Sequence, residues 1–568
     1  MILLWCVGTA LAVDIAVLEQ ATQAEIDRAM NDLSLPGQGG PYEVEVSVVE
    51  GHYASTRTTF GQTLSHEDGP YRVARVEVRV GDLQVDSSSF IGLSGVPDGI
   101  ERRILPQDPV SIAIRRELWQ ALDSAYKGAS QQLAGKLAAR EGQQREYTPD
   151  ATAVPRLVQA MPPLREVDAD AVRAITEALS APLAAYPDLE DGDAAGQDWQ
   201  AARLLISSTG TRAWVRTGQT IYRADAQARA HSGAIVRNTR SWVARTPDQM
   251  PLLDEMVAEI NAMAAWILVA REAPVEEDYL GPVLFESQAA SEVFRQLLQP
   301  QVCGTPPRED SPDPDGGDGI SPPSARIGRR LLPTGWTVVD DPTAEPTLAG
   351  SYTHDMEGSA ARRVVLVEDG VVRDLLMSRV PRRDIVESTG HARALGTNRR
   401  AAMPGVLTIT PRRTVSSKAL RAKALALGRQ LGLPYVIVVR RITTPSMDGG
   451  FHIAFSGDTP LPGLTAPTEV FRLYPDGREQ PVRNVAFSGV DRRVLRDIVA
   501  ASKGAGPINM MDVPGSTGRF GLGVTDGLPV TWDAPQVLIS EIELRGQPGG
   551  EQRIIPPPPL RPGDIGGP

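Results

Sequence analysis

Tyr42 to Glu50 (YEVEVSVVE) alternates apolar and polar side chains, and Tyr71 to Val80 (YRVARVEVRV) does the same. Successive side chains of a strand point to opposite faces, so both stretches predict half-buried strands, each with one wet face. Ahead of them, Val13 to Asn31 repeats at helical spacing until Gly37-Gln38-Gly39-Gly40-Pro41 breaks the pattern. Behind them, Asp108-Pro109 opens a helical segment to Glu141, with Pro109 suited to a first turn. Its apolar stripe is Ile112, Ile114, Leu118, Trp119, Leu122 and Tyr126. Arg203 to Ile206 and Arg212 to Arg216 predict strands around a Ser208-Thr209-Gly210 turn, and Pro251 to Arg271 predicts a further helix. Trp119, Trp242 and Trp266 are expected in the core.

Beyond Tyr279 the texture changes. One helix is predicted near Ser287 to Leu298, and then strand follows strand. Trp336–Val339, Arg363–Glu368, Val371–Leu376, Val406–Thr410, Tyr435–Arg441, Val470–Tyr474 and Val537–Leu544 are short and often β-branched. Glu368-Asp369-Gly370 and Pro475-Asp476-Gly477 supply hairpin turns. The fold class is α+β, with a mainly β second half. Gly304 to Ala325 and Gln547 to Pro568 are rich in Pro and Gly with little to bury, and both are expected to be mobile.

The 568 residues carry 58 Lys+Arg against 70 Asp+Glu, a net charge of −12, with no long basic block. A cationic face for nucleic acid or anionic membrane is therefore not expected. Cys6 and Cys303 are the two cysteines, which excludes a disulfide framework or a Cys-rich metal site. Met1 to Ala12 (MILLWCVGTALA) is too short to span a bilayer and ends in Ala10-Leu11-Ala12, a small-x-small pattern. It reads as a signal peptide cut before Val13, although it has no Lys or Arg. Export to a periplasmic or extracellular compartment follows if it is cut, and a cytoplasmic location if it is not. No other stretch is long and apolar enough for a membrane span.

Several tags, spaced over residues 17 to 545, resemble the TldD/PmbA family, whose metal-bearing members are peptidases and whose name carries an old association with DNA gyrase. The strongest run is Val338-Val339-Asp340-Asp341-Pro342, Asp355-Met356-Glu357-Gly358, Val364 to Gly370 (VVLVEDG) and Ser388-Thr389-Gly390-His391-Ala392-Arg393. Further matches are Arg79-Val80-Gly81-Asp82, Arg115 to Trp119 (RRELW), Gly281 to Glu286 (GPVLFE), Tyr474 to Arg478 (YPDGR) and Ala534 to Leu538 (APQVL). The resemblance implies an N-terminal α/β domain (13–106), a helical and β middle domain (107–272) and a β-rich C-terminal domain (273–546). Loop 304–325 lies within the last, and 547–568 form a Pro/Gly tail. It also implies a dimer enclosing a cavity for an extended peptide, where backbone pairing gives sequence-tolerant affinity.

Catalytic members carry His-Glu-x-x-x-His after an apolar strand, plus a late Cys. Imidazoles and thiolate hold Zn²⁺, and the Glu can deprotonate its water. Here Phe285 and Ala290 stand at the two His positions, Glu286 remains, and no Cys follows Cys303. The resemblance therefore points to a metal-free, non-catalytic subunit or peptide-binding dimer. Its partner would be a second copy or a paralogue that keeps the zinc motif, with zinc only in that paralogue.

Other sites are weaker. The six histidines, His52, His66, His231, His354, His391 and His452, contain no pair at helix or hairpin spacing. His354, Asp355 and Glu357 with His391 form the best remaining cluster, either as a catalytic centre or as turn and cap acceptors in tight turns. Asp313 to Ser324 departs from a calcium loop at Gly317 and Ser324. Ser207-Ser208-Thr209-Gly210 and Ser388-Thr389-Gly390 lack an elbow motif or a base, which favours turn chemistry. Two alternatives stay open: an active hydrolase centred near His354, and an exported structural or assembly protein that keeps only the fold.

Overall fold

The computed structural model describes residues 3–91, 99–143, 147–309, 327–394, 399–444, 463–504, 506–512 and 527–547. The calcium-like stretch, most of Gly304 to Ala325, and the tail after Gln547 lie outside them, as does His452.

In the first half, helix α1 (Leu3–Asp32) runs unbroken through Val13 and leads into strands β1 (Pro41–Thr59) and β2 (Gln62–Val80). Strand β3 (Ile100–Ile104), helix α2 (Ser111–Arg140), the short β4 (Val158–Gln159) and helix α3 (Ala169–Ser180) follow. Long strands β5 (Asp191–Ser207) and β6 (Arg212–Arg229), then β7 (Ile235–Ala244) and helix α4 (Leu253–Arg271), complete this half. All seven strands form one sheet, ordered β3-β2-β1-β5-β6-β4 with β7 also on β6. The 106/107 division expected from the sequence falls inside this sheet, because β5 pairs antiparallel with β1 from Glu45↔Ser207 to Thr59↔Asp193. That pairing also carries β1 beyond Glu50, where the alternation fades.

Helices α1 and α2 cover one part of the sheet, and Leu18, Ile26, Leu118 and Tyr126 share a core with Val44, Val46, Val76 and Val78. Pro109 stays outside α2, which begins at Ser111, and the expected stripe is only partly inside. Ile114, Leu118, Leu122 and Tyr126 are buried, whereas Ile112 and Trp119 face solvent, and the Arg28 guanidinium lies over the Trp119 ring. Helix α4 covers the other end with Ile260 and Ile267 against Tyr222 and Trp242.

The second half starts with β8 (Tyr279–Phe285), helix α5 (Ser287–Leu297) and the single turn α6 (Gln299–Val302). Strands β9 (Trp336–Asp340), β10 (Val364–Glu368), β11 (Val371–Val372), β12 (Ala392–Arg393), β13 (Ala401–Ala402) and β14 (Val406–Pro411) come next. Helix α7 (Ser417–Gln430), for which no helix is expected from the sequence, starts on Ser416, whose hydroxyl accepts the Ala419 N–H at 3.2 Å. It supplies the crossover that lets β15 (Val436–Ile442) lie parallel to β8. The chain continues through β16 (Pro467–Leu473), β17 (Glu479–Val482), β18 (Val485–Ser488), β19 (Ile498–Ala501), β20 (Ile508–Asp512), β21 (Leu528–Asp533) and β22 (Val537–Gly546).

These strands form a six-stranded sheet, β11-β10-β9-β14-β21-β20, a β12-β13 pair, and a seven-stranded sheet, β17-β16-β15-β8-β22-β18 with β19 on β22. Helix α5 shares a core with both large sheets: Ala290 and Phe294 join Val283 and Phe285 of β8 and Val338 of β9. On the other face of β8, Leu284 packs with Leu420 and Ala424 of α7. The β10–β11 turn takes Asp369 and Gly370 at φ 51° and 77°, a primed hairpin turn that a glycine accommodates. Of the expected Val371–Leu376 strand only Val371–Val372 forms, because Leu376 turns to pair with the Val302–Gly304 segment instead.

Candidate functional site

The β8–α5 junction puts a side chain at each position where the resemblance implies a metal ligand. Phe285 ends β8 and Ala290 lies on the first turns of α5, both fully within the core. Neither carries a lone pair, so the residues present do not fit a zinc ion. Glu286, between them, is nearly buried and held by cations. Arg421 Nε and Nη2 donate to its two oxygens at 2.8 and 2.7 Å, and Arg440 Nε to one of them at 3.3 Å. Glu479 closes the group, accepting from Arg421 and from Arg440 at 2.6 to 2.8 Å. A carboxylate with both oxygens clasped by guanidiniums is a poor general base, since taking a proton breaks those pairs.

The second cluster forms where the family-like tags meet. Asp355 accepts the backbone N–H groups of Glu357 and Ser359 at 2.9 Å and of Ala392 at 3.0 Å, which closes its turn and ties it to β12. Glu357 accepts the Arg379 backbone N–H at 2.8 Å. His391 is fully buried, its Nδ1 within 2.9 Å of both oxygens of Thr389 and its Nε2 3.1 Å from Asp340. Asp355, Glu357 and His391 thus come together, joined by Asp340. The His354 ring meets the Thr353 hydroxyl at 3.2 Å in a partly exposed position. Among the described residues, no group of three or more His, Cys, Asp or Glu is arranged to hold a metal. The hydroxyl candidates are engaged by backbone from neighbouring segments, Ser208 accepting Val44 N–H and Thr389 accepting Met377 N–H.

The polar face of β1 and β2, expected in water, is instead buried beneath the second half of the chain. Glu43, Glu45, Glu77 and Arg79 are each less than a tenth exposed. Arg379 forks onto Glu43 at 2.6 and 2.8 Å, and its Nε donates to the Thr152 carbonyl at 3.0 Å. Arg400 pairs with Glu45 and, at 3.2 Å, with Glu77. Arg203 of β5 donates to the Asp355 carbonyl at 3.3 Å. The cross-strand register Glu43↔Arg79, Glu45↔Glu77 and Ser47↔Arg75 puts these groups on one face, and that spacing was the available signal. Its reading failed because alternation alone says that a face is polar, and does not say that it is wet.

Burial and the Asp355 charge push the Glu357 carboxyl up to about 7, and burial raises Asp355 as well. Burial, with the nearby Arg400 charge, lowers Arg203 to about 10. The cluster's hydrogen bonds end mostly on backbone and on the facing sheet.

The PmbA/TldA metallopeptidase C-terminal domain model matches residues 279–427, which contain Glu286, Arg421 and the Asp355–His391 cluster. A metalloprotease of Methanothermobacter thermautotrophicus is 39% identical over 79 residues, or 14% of this chain and 16% of that protein. The matched stretch therefore spans about a sixth of that relative's length. Among solved structures, TldE from Thermococcus kodakarensis superposes with a TM-score of 0.58 at 14% identity, covering 93% of this chain and 100% of that one. A protein described as a modulator of a DNA gyrase, from Thermotoga maritima, gives 0.55 at 15% identity over 88% and 96%.

Proposed function

Because the chain belongs to the TldD/PmbA family, we propose that it is a member without a metal site, working as a peptide-binding, non-catalytic subunit in proteolysis. One observation carries this reading: at the β8–α5 junction Phe285 and Ala290 fill the core while Arg421 and Arg440 clasp Glu286. Two carbon side chains cannot hold zinc, and without a metal there Glu286 would have no activated water to deprotonate. What the fold keeps is its sheets, whose backbone can hold an extended chain. Hydrolysis then belongs to a partner that has the His-Glu-x-x-x-His motif. A hydrolase centred on His354 finds little support, since that ring's hydrogen bond goes to the Thr353 hydroxyl.

The test is a peptidase assay on an unfolded polypeptide, with elemental analysis of the same preparation. The chain alone should be inactive and hold no stoichiometric zinc, and cleavage should appear when a metal-bearing paralogue is added. Glu286→Gln should leave that cleavage nearly unchanged while lowering stability by about 1–3 kcal/mol, through loss of charge-assisted bonds. Chelator-sensitive cleavage by the chain alone, reduced on the order of 10²-fold by Glu286→Gln, would overturn the reading.

A further inference from the structure

Asp355 and Glu357 belong to one turn, and both carboxyls are buried where the second half of the chain covers the N-terminal sheet. Their partners are unequal. Asp355 accepts three backbone N–H groups, from Glu357, Ser359 and Ala392, whereas Glu357 accepts the N–H of Arg379 at 2.8 Å. Arg379 is also the residue whose guanidinium forks onto Glu43 of β1. One residue therefore joins the Glu357 carboxyl, through its backbone, to the contact across the seam, through its side chain. Glu357 further lines a cleft shared with Ser87, Ser88 and Ser89 of the first half, whose usable space is about 30 Å³. That is room for one water, enough to pass a proton to or from the carboxyl. We propose that Glu357 is a pH-operated latch on this seam: protonated, it leaves the two halves clamped through Arg379, and ionised, it lets them part locally.

Each element packed around the turn brings charge to it. Arg379 and Arg400 favour the anion and Asp355 opposes it. The sheet already occupies those cations: Glu43 takes Arg379, and Glu45 and Glu77 take Arg400. Arg79 of β2 is held by Glu77 and Asp86, and Arg203 of β5 donates to the Asp355 carbonyl. His391 turns its Nε2 to Asp340. Arg308 and Arg399 line the same cleft as Glu357, and Arg399 donates to the Pro306 carbonyl at 2.6 Å. A second carboxylate charge beside Asp355 is thus poorly compensated while the seam stays shut, and admitting water relieves it.

The direction of the switch follows from linkage. In the closed seam the Glu357 carboxyl is pushed up to about 7 by burial and by Asp355, against an ordinary 4.5. The closed form holds the proton more tightly than a hydrated, opened form. Opening therefore becomes easier as pH rises from about 4.5 to about 7 and levels off above.

The experiment is native-state hydrogen exchange on the full chain at pH 5, 6, 7 and 8, read by mass spectrometry and corrected for the intrinsic rate at each pH. Segments carrying the Arg379 and Ala392 amides report the seam, and the paired β5–β6 strands report the fold as a whole. Seam protection should fall by about tenfold or more between pH 5 and pH 7, while β5–β6 protection changes much less. Glu357→Gln, which carries no charge at any pH, should remove the fall. Should that variant fail to fold, the comparison of the two regions in the wild-type chain decides alone. Seam protection independent of pH, an unchanged fall in Glu357→Gln, or equal loss in the seam and in β5–β6 would each overturn the latch, the last because the whole fold would then be yielding.

Discussion

Glu357 lies beneath the N-terminal sheet with its carboxyl pushed up to about 7, first by burial and then by the neighbouring Asp355. Arg379 and Arg400 act in the opposite sense without overcoming that cost. The folded chain therefore binds the proton more tightly than the unfolded one. Stability from this group is fully present below the unfolded value near 4.5 and is lost as pH rises through about 7. Its span is on the order of 3 kcal/mol, by conversion of the shift. The wild-type denaturation midpoint is expected to fall between pH 6 and pH 8, and Glu357→Gln, neutral at every pH, should flatten that slope. Urea titrations at several pH values check it, and a variant with the wild-type slope would remove Glu357 as the cause. Glu286 is the contrasting carboxylate, paired to the guanidiniums of Arg421 and Arg440. Both were named from sequence, but only the folded chain separates a carboxyl facing a carboxyl from one facing arginines.

Strands β1 and β2 show what was legible at the level of elements. Their period of two predicted strands, and the structure pairs them antiparallel from Pro41↔Val80 to Thr59↔Gln62. Helix α5 and strand β8 were equally readable, because an apolar run ending at Phe285 gives way to helical spacing. Helix α7 was missed because its Ala, Lys and Arg content shows only a narrow apolar stripe, with Leu420 and Ala424 buried. The docking of β1 and β2 was missed for another reason: their partners Arg379 and Arg400 lie more than three hundred positions away, and no local pattern carries that contact. The Glu43–Arg379 pair tests how the seam is held. Removing one partner leaves a buried charge alone and should cost about 3–5 kcal/mol, whereas replacing both by apolar residues of similar size should cost much less than the sum. Arg379→Met, Glu43→Leu and their combination, compared by chemical denaturation, give the coupling. Strict additivity would show that the fork contributes nothing across the seam.

At the scale of the whole molecule, the two halves are bound by more than one seam. Arg140 pairs with Glu309, Arg240 and Asn238 meet Glu469, and Arg245 donates to the Ser351 carbonyl. The first sheet depends in turn on α1, whose position relative to the expected cut before Val13 can be judged from the core. Among the described side chains, Leu18, Ala21, Ile26 and Ala29 of α1 lie in the N-terminal core, and Glu19 accepts from the Trp214 indole at 2.6 Å. All follow Val13, so removal of Met1 to Ala12 would leave every one of these contacts in place. A chain that is exported should be found with Val13 first and should keep these contacts, so its stability is expected to match that of the full-length form if Met1 to Ala12 is a signal segment. N-terminal sequencing of the protein from its native cells, together with thermal unfolding of chains starting at Met1 and at Val13, measures both parts. Met1 intact in the cytoplasm would contradict export, and a chain from Val13 that melts far below the full-length one would show that residues before the cut belong to the fold.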